Sequence, residues 1–158
     1  MTTPVPPSSP AFGLMFLGQF ERGIDKKGRI TLPASYRETL QQEEAVITRG
    51  LDRCLFLFPR DQFEALREKI RQKGISDPRA RKFRRHFFSG AVNVKPDSMG
   101  RINIPSYLRD YAGLTGDVIV AGNDTYVEIW DAQRWKEEQH SLYEEDGISA
   151  ETWEELGI

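Results

Sequence analysis

The chain has 158 residues, 29% charged and 39% hydrophobic, which fits one globular domain or two very small ones. Its apolar runs, such as CLFLF at 54–58, fall far short of the ~20 residues a membrane-spanning helix needs, and a single cysteine, Cys54, excludes an internal disulfide. The net charge of −2 hides an asymmetry: residues 1–136 hold all 22 Lys and Arg beside 16 acidic residues, whereas residues 137–158 hold 8 acidic residues and no Lys or Arg.

Residues 1–14 begin MTTPVPPSSPAF, rich in proline and serine and without a hydrophobic period; they are expected to form a disordered leader and carry no export signal. Phe16, Gly18, Phe20 and Ile24 then keep one apolar side and predict a strand. Asp25-Lys26-Lys27-Gly28 predicts a tight turn. Aspartate at the first position accepts a backbone N–H two residues on, and glycine at the fourth tolerates a positive φ. A short strand, Arg29–Leu32, follows, and Pro33 opens a helix, where its missing N–H is harmless. AVITRG and CLFLF, joined through GLDR, predict a hairpin. Phe63, Leu66 and Ile70 predict one face of an amphipathic helix that Gly74 should stop.

The stretch ISDPRARKFRRHFFSG comes next. Ser76 or Asp77 before Pro78 predicts a helix start, with Arg79, Arg81, Lys82, Arg84 and Arg85 as a basic surface and Phe83 and Phe87 packing beneath. The series of elements then begins again. Residues 16–63 align with 88–135 without a gap, 12 of the 48 positions being identical, where chance would give roughly three. DSMGR at 97–101 repeats DKKGR at 25–29, Pro105 repeats Pro33, and DVIVAG and YVEIW repeat the hairpin. Asp131 is expected to cap a last helix carrying Trp135 and Leu142.

The chain is therefore read as a first repeat (15–75), a basic linker helix (76–87), a second repeat (88–143) and a solvated acidic tail (144–158). A half of ~50 residues buries little core alone. The halves are expected to interlock into one mainly β structure with short helices, an α+β fold built as a mixed barrel.

The pattern F-x-G, then D-x-x-G-R-[IL]-x-[IL]-P, given twice and followed by RDYAGL and VEIWD, resembles the MraZ family of bacterial transcriptional regulators, within the AbrB/MazE-like swapped-hairpin group. The resemblance runs from Met15 to about Leu142. It implies a double-split β-barrel of two tandem AbrB-like repeats. It also implies a homo-oligomeric ring that binds G-rich direct repeats in double-stranded DNA upstream of the cell-division and cell-wall gene cluster. That places the chain in the cytoplasm, associated with the nucleoid. The family's DNA-contacting arginine falls on Arg29, with Lys26 and Lys27 beside it. Arg101 is the counterpart in the second turn, where Ser98 and Met99 replace the lysines.

These residue types suit the task. Lys26 and Lys27 can neutralise phosphates as mobile point charges. The planar fork of Arg29 can donate two hydrogen bonds to guanine O6 and N7. Asp25, Gly28, Asp97 and Gly100 would structure the turns, Asp25 also orienting Arg29. The plainer alternative is a structural turn whose arginine only pairs with its own aspartate. Arg37 and Arg109 are expected to pair internally with carboxylates, and Cys54, Phe58, Trp130 and Trp135 to lie in the core. The sequence has no nucleophile–base pair and no phosphate-binding glycine loop. His86 and His140 are far apart, and Asp25 and Asp97 have no Glu/His cluster near them to complete an ion site. No enzyme, metal, cofactor or small-molecule substrate is expected. The reading from a different class is a protein–protein module, an antitoxin-like or scaffolding ring.

Overall fold

Each repeat gives its first strand to the other. The computed structural model describes residues 15–42, 44–144 and 147–158, so the leader read at 1–14 lies outside the described residues. The first repeat runs β1 (Gln19–Gly23), β2 (Arg29–Thr31), α1 (Ala34–Gln42), β3 (Ala45–Arg49), β4 (Leu55–Pro59) and α2 (Arg60–Arg71). After α3 (Pro78–Gly90) the second runs β5 (Val92–Val94), β6 (Arg101–Asn103), α4 (Ser106–Ala112), β7 (Asp117–Asn123), β8 (Tyr126–Asp131) and α5 (Ala132–Ser141); a short helix, α6 (Ala150–Glu155), follows.

The hairpins β3–β4 and β7–β8 meet through β4 and β8, while β1 pairs with β7 and β5 with β3. The result is an antiparallel sheet in the order β1-β7-β8-β4-β3-β5. β2 and β6 form a separate two-stranded ribbon. Ile30, Leu32, Ile102 and Ile104 from the ribbon and its exits pack onto Ile47, Leu57, Val118, Val120, Val127 and Ile129 from the sheet. Ribbon and sheet thus enclose one core contributed by both repeats, the expected double-split barrel.

The outer face of the sheet is covered too. Phe63 and Ile70 of α2 and Phe87 of α3 pack with Val46 and Phe58. Trp135 of α5 packs on Cys54, Ile119 and Trp130, its ring meeting Trp130 edge-to-face at 5.7 Å. Burial on both faces accounts for the nearly unbroken apolar runs AVI and CLFLF, which are too short for helices. Asp77 caps α3 by accepting from Arg79 N at 2.8 Å, with Pro78 in its first turn, and Asp131 caps α5 by accepting from Arg134 N at 3.1 Å.

The stop read at Gly74 stands, the chain leaving α2 after Arg71 through a left-handed Gly74 at φ +71°. Two local expectations need amendment. Phe83 stacks on Phe87 but stays 37% exposed, whereas Phe87 packs into the cluster with Val46 and Phe58. The acidic tail is not featureless: Ser149 and Thr152 form a reciprocal capping box that starts α6.

Because both repeats fill one core, Ile102→Ala, which truncates a fully buried ribbon residue, is expected to cost about 2–5 kcal/mol. Denaturant unfolding followed by fluorescence and circular dichroism should still give a single coincident transition. Two separable transitions would mean that the repeats fold independently.

Candidate nucleic-acid interface

The two D-x-x-G-R turns have the same construction to within 0.1 Å in each hydrogen bond. In the first, Gly28 N donates to Asp25 O at 3.0 Å and Asp25 N to Arg29 O at 3.0 Å. Asp25 Oδ1 accepts from the backbone N–H of Lys27 and of Arg29, both at 2.9 Å, and Oδ2 accepts from Arg29 Nε at 2.8 Å. Asp97 repeats this with Met99 N, Arg101 N and Arg101 Nε at 2.9, 2.9 and 2.8 Å. Gly28 and Gly100 take φ values of +81° and +78°, a left-handed conformation that a side chain would strain. Three donated hydrogen bonds favour the ionised carboxylate. Backbone donation from Arg29, above all, holds the Asp25 carboxyl below its ordinary value, and Arg101 does the same for Asp97.

Pairing through Nε leaves the guanidinium's two terminal amino groups uncommitted: among the described residues neither Arg29 nor Arg101 donates to another acceptor. Lys26 and Lys27 are exposed beside Arg29. The ribbon sets the spacing. Its register places Arg29 opposite Asn103 and Thr31 opposite Arg101, with Ile30 facing Ile102. The isoleucines are buried, so Arg29, Thr31, Arg101 and Asn103 share the outer face. Arg29 and Arg101 are diagonal neighbours there, about 7–8 Å apart at the backbone. One ribbon face therefore carries two forks, and the first turn adds two lysines.

Arg37 and Arg109 behave otherwise than expected: among the described residues neither forms an ion pair. Arg37 Nε donates to Leu32 O at 3.2 Å and Arg109 Nε to Ile104 O at 3.0 Å. Each guanidinium then lies over a glycine of the opposite repeat, Arg109 against Gly28 and Arg37 against Gly100. A Cβ on Gly28 would stand 2.8 Å from Arg109 Cζ. The strands complete the exchange: Ile104 N donates to Gly28 O and Leu32 N to Gly100 O, both at 2.8 Å. So each turn is buttressed by an arginine from the other repeat's helix, which also brings a further cation to the turn. The retention of arginine at 37 and 109, amid divergent neighbours, was the available signal. Arg22 also reaches the ribbon, donating from Nε to Thr31 O at 3.0 Å.

The other candidates fall elsewhere. Cys54 is fully buried, and burial pushes its thiol well above the ordinary range, so it is no nucleophile. Trp130 and Phe58 are core, whereas Trp135 is half-buried. Among the described residues no group of three or more His, Cys, Asp or Glu side chains could hold a metal ion, and no helix is long and apolar enough to cross a membrane.

Comparison with known proteins agrees with this construction. The family model described as "MraZ protein, putative antitoxin-like" matches twice, over residues 15–86 and 87–154. A protein of Symbiobacterium thermophilum named transcriptional regulator MraZ is 48% identical over 132 residues, covering 82% of this chain and 95% of the relative. Proteins of the same name from Thermomicrobium roseum and Syntrophomonas wolfei are 50% and 43% identical, covering 77% and 91% of this chain and 84% and 100% of theirs. Two tandem matches that span the described repeats, and near full-length relatives at this identity, show that the chain belongs to the MraZ family.

Proposed function

We propose that this protein regulates transcription by binding duplex DNA through the outer face of the β2–β6 ribbon and its first turn. Regulation of transcription is the role in the names of the relatives given above. The observation that carries the site assignment is the fork of Arg29, held by Asp25 through Nε with its terminal amino pair uncommitted. A paired but bare fork on a ribbon is the form of side chain that reads guanine O6 and N7 in a major groove. Lys26 and Lys27 contact phosphates, and Asp25, Gly28, Asp97 and Gly100 hold the two turns. Arg101 shares the ribbon face without flanking lysines, so it contributes less.

One fork supplies about 1–3 kcal/mol of base discrimination, too little for a regulator. Several copies in a closed homo-oligomer, a ring, presented to direct repeats in a promoter make the later contacts intramolecular and multiply affinity. We place these repeats at the promoter of the cell-division and cell-wall cluster, and the protein on the nucleoid in the cytoplasm. The antitoxin-like description of the family keeps a second reading in view, a protein–protein module whose basic turns hold an acidic partner. A stoichiometric protein partner on purification, with no retention of DNA, would favour it.

Titration of labelled duplexes bearing G-rich direct repeats tests the assignment. Arg29→Ala should weaken specific binding roughly 5–150-fold for each turn engaged, and Arg101→Ala should weaken it less. Lys26→Ala should leave specificity unchanged but flatten the slope of log affinity against log salt by about 0.9 per subunit engaged. Full specific affinity in a folded, assembled Arg29→Ala protein would reject the site. The pH dependence follows from the aspartates. Their folded-state values lie below the ordinary 3.8, so the turn-stabilising charge is complete above that value and is lost as pH falls through the lowered one. Amide NMR of Lys27, Arg29, Met99 and Arg101 should therefore be flat from neutral pH to about 5 and change only in stronger acid. A transition near neutrality would contradict this.

A further inference from the structure

α2 and α3 enclose a groove of about 590 Å³ with an apolar floor of Leu66, Ile70 and Phe83, the last stacked on Phe87 and so continuous with the outer core. Its rim is cationic, formed by Lys69, Lys73 and Arg79. Asp77 also lines it, but that carboxylate is committed to capping α3 and to Arg79 at 3.5 Å. The arginines of α2 are paired: Arg60 with Glu44 and Glu64, Arg67 with Glu64, and Arg71 with Glu68. Lys69 and Lys73, which face the groove, form no ion pair among the described residues. Among the described residues from Arg60 to Lys73, the cations left without a carboxylate are thus the two lysines at the groove.

The opposite chemistry lies at the end of the chain. On and after α6, Trp153, Leu156 and Ile158 are 56%, 68% and 75% exposed. Glu151, Glu154 and Glu155 sit between and beside them, and among the described residues none forms an ion pair. Trp153 and Leu156 are three residues apart and share a helix face. α6 follows α5, which packs on β7 and β8 of the second repeat, whereas the groove belongs to the helices after the first. Among the described residues of one chain, the acidic apolar helix and the basic apolar groove are both unpartnered.

We infer that α6 of one subunit docks in the α2–α3 groove of a second copy, Trp153 and Leu156 seated on Leu66, Ile70 and Phe83 and the glutamates facing Lys69 and Lys73. This is helix-in-groove recognition. Because groove and helix are different surfaces, the contact is heterologous, the kind that closes into rings when the rotation allows. The inference rests on the proposed homo-oligomer and names the surface that makes it.

Engineered cysteines separate the possible occupants, since native Cys54 is buried and silent. Protein carrying only Lys73→Cys, mixed with protein carrying only Glu154→Cys, should form a covalent dimer on mild oxidation. A bridge only within one chain, when both substitutions are on the same molecule, would mean that the tail folds onto its own groove; no bridge in either format would mean that something else fills it. Either result overturns the inference. Light scattering gives the second arm. Lys69→Glu with Lys73→Glu should lower the assembled mass, and adding Glu154→Lys and Glu155→Lys should restore it. An unchanged mass in an oligomeric protein would sink this contact while leaving the ring intact. A monomeric wild-type protein would sink the ring and this contact together.

Discussion

Each D-x-x-G-R turn is completed by the repeat it does not belong to. The carbonyl of Gly28 accepts from Ile104 N and that of Gly100 from Leu32 N, and an arginine from the opposite helix lies over each glycine. Two strands of three residues, Arg29–Thr31 and Arg101–Asn103, would be marginal as an isolated ribbon. These cross-repeat bonds lengthen the ladder at both ends, and the buried pair Ile30 and Ile102 fixes its register. A second copy of the repeat is therefore a physical requirement here, because one repeat alone would leave its glycine carbonyl, its turn and its apolar strand face unpartnered.

The same constraint shapes the chemistry. Asp25 and Asp97 tie one edge of each guanidinium to the turn, so the remaining edge is presented in a fixed orientation, with less side-chain freedom lost when it pairs with a planar acceptor. The register then sets the two forks on one diagonal of the outer face. Charge distinguishes otherwise equal turns: three cations in the first, one in the second, where Ser98 and Met99 stand in place of Lys26 and Lys27. The ribbon is thus geometrically symmetric and electrostatically lopsided.

Much of this was legible in the sequence because it is local. The Asx turn needs only Asp25 and Gly28 at their spacing, the caps need only Asp77 before Pro78 and Asp131, and the tandem repeat shows by direct comparison. What could not be read was pairing across the duplication. A period-two pattern marks β1 as a strand but does not say that β7 will take it. A charged residue on a helix suggests a nearby carboxylate, so Arg37 and Arg109 were expected in ion pairs. Their partners are a carbonyl of their own repeat and a glycine far along the chain, Gly100 for Arg37 and Gly28 for Arg109, and no local pattern carries that. The described tail is solvated as read, but its short helix went unread for a different reason. Its acidic composition reads as solvated, while Ser149 and Thr152, which start α6, form a capping box lacking the usual glutamate.

The exchange between repeats is tested most directly by amide hydrogen exchange on Arg109→Ala. If the buttress runs across the duplication, exchange should quicken at Lys27 and Arg29 in the first turn, while Met99 and Arg101, in the repeat that carries the substitution, keep their protection. Faster exchange confined to the second turn, or no change in either, would contradict it.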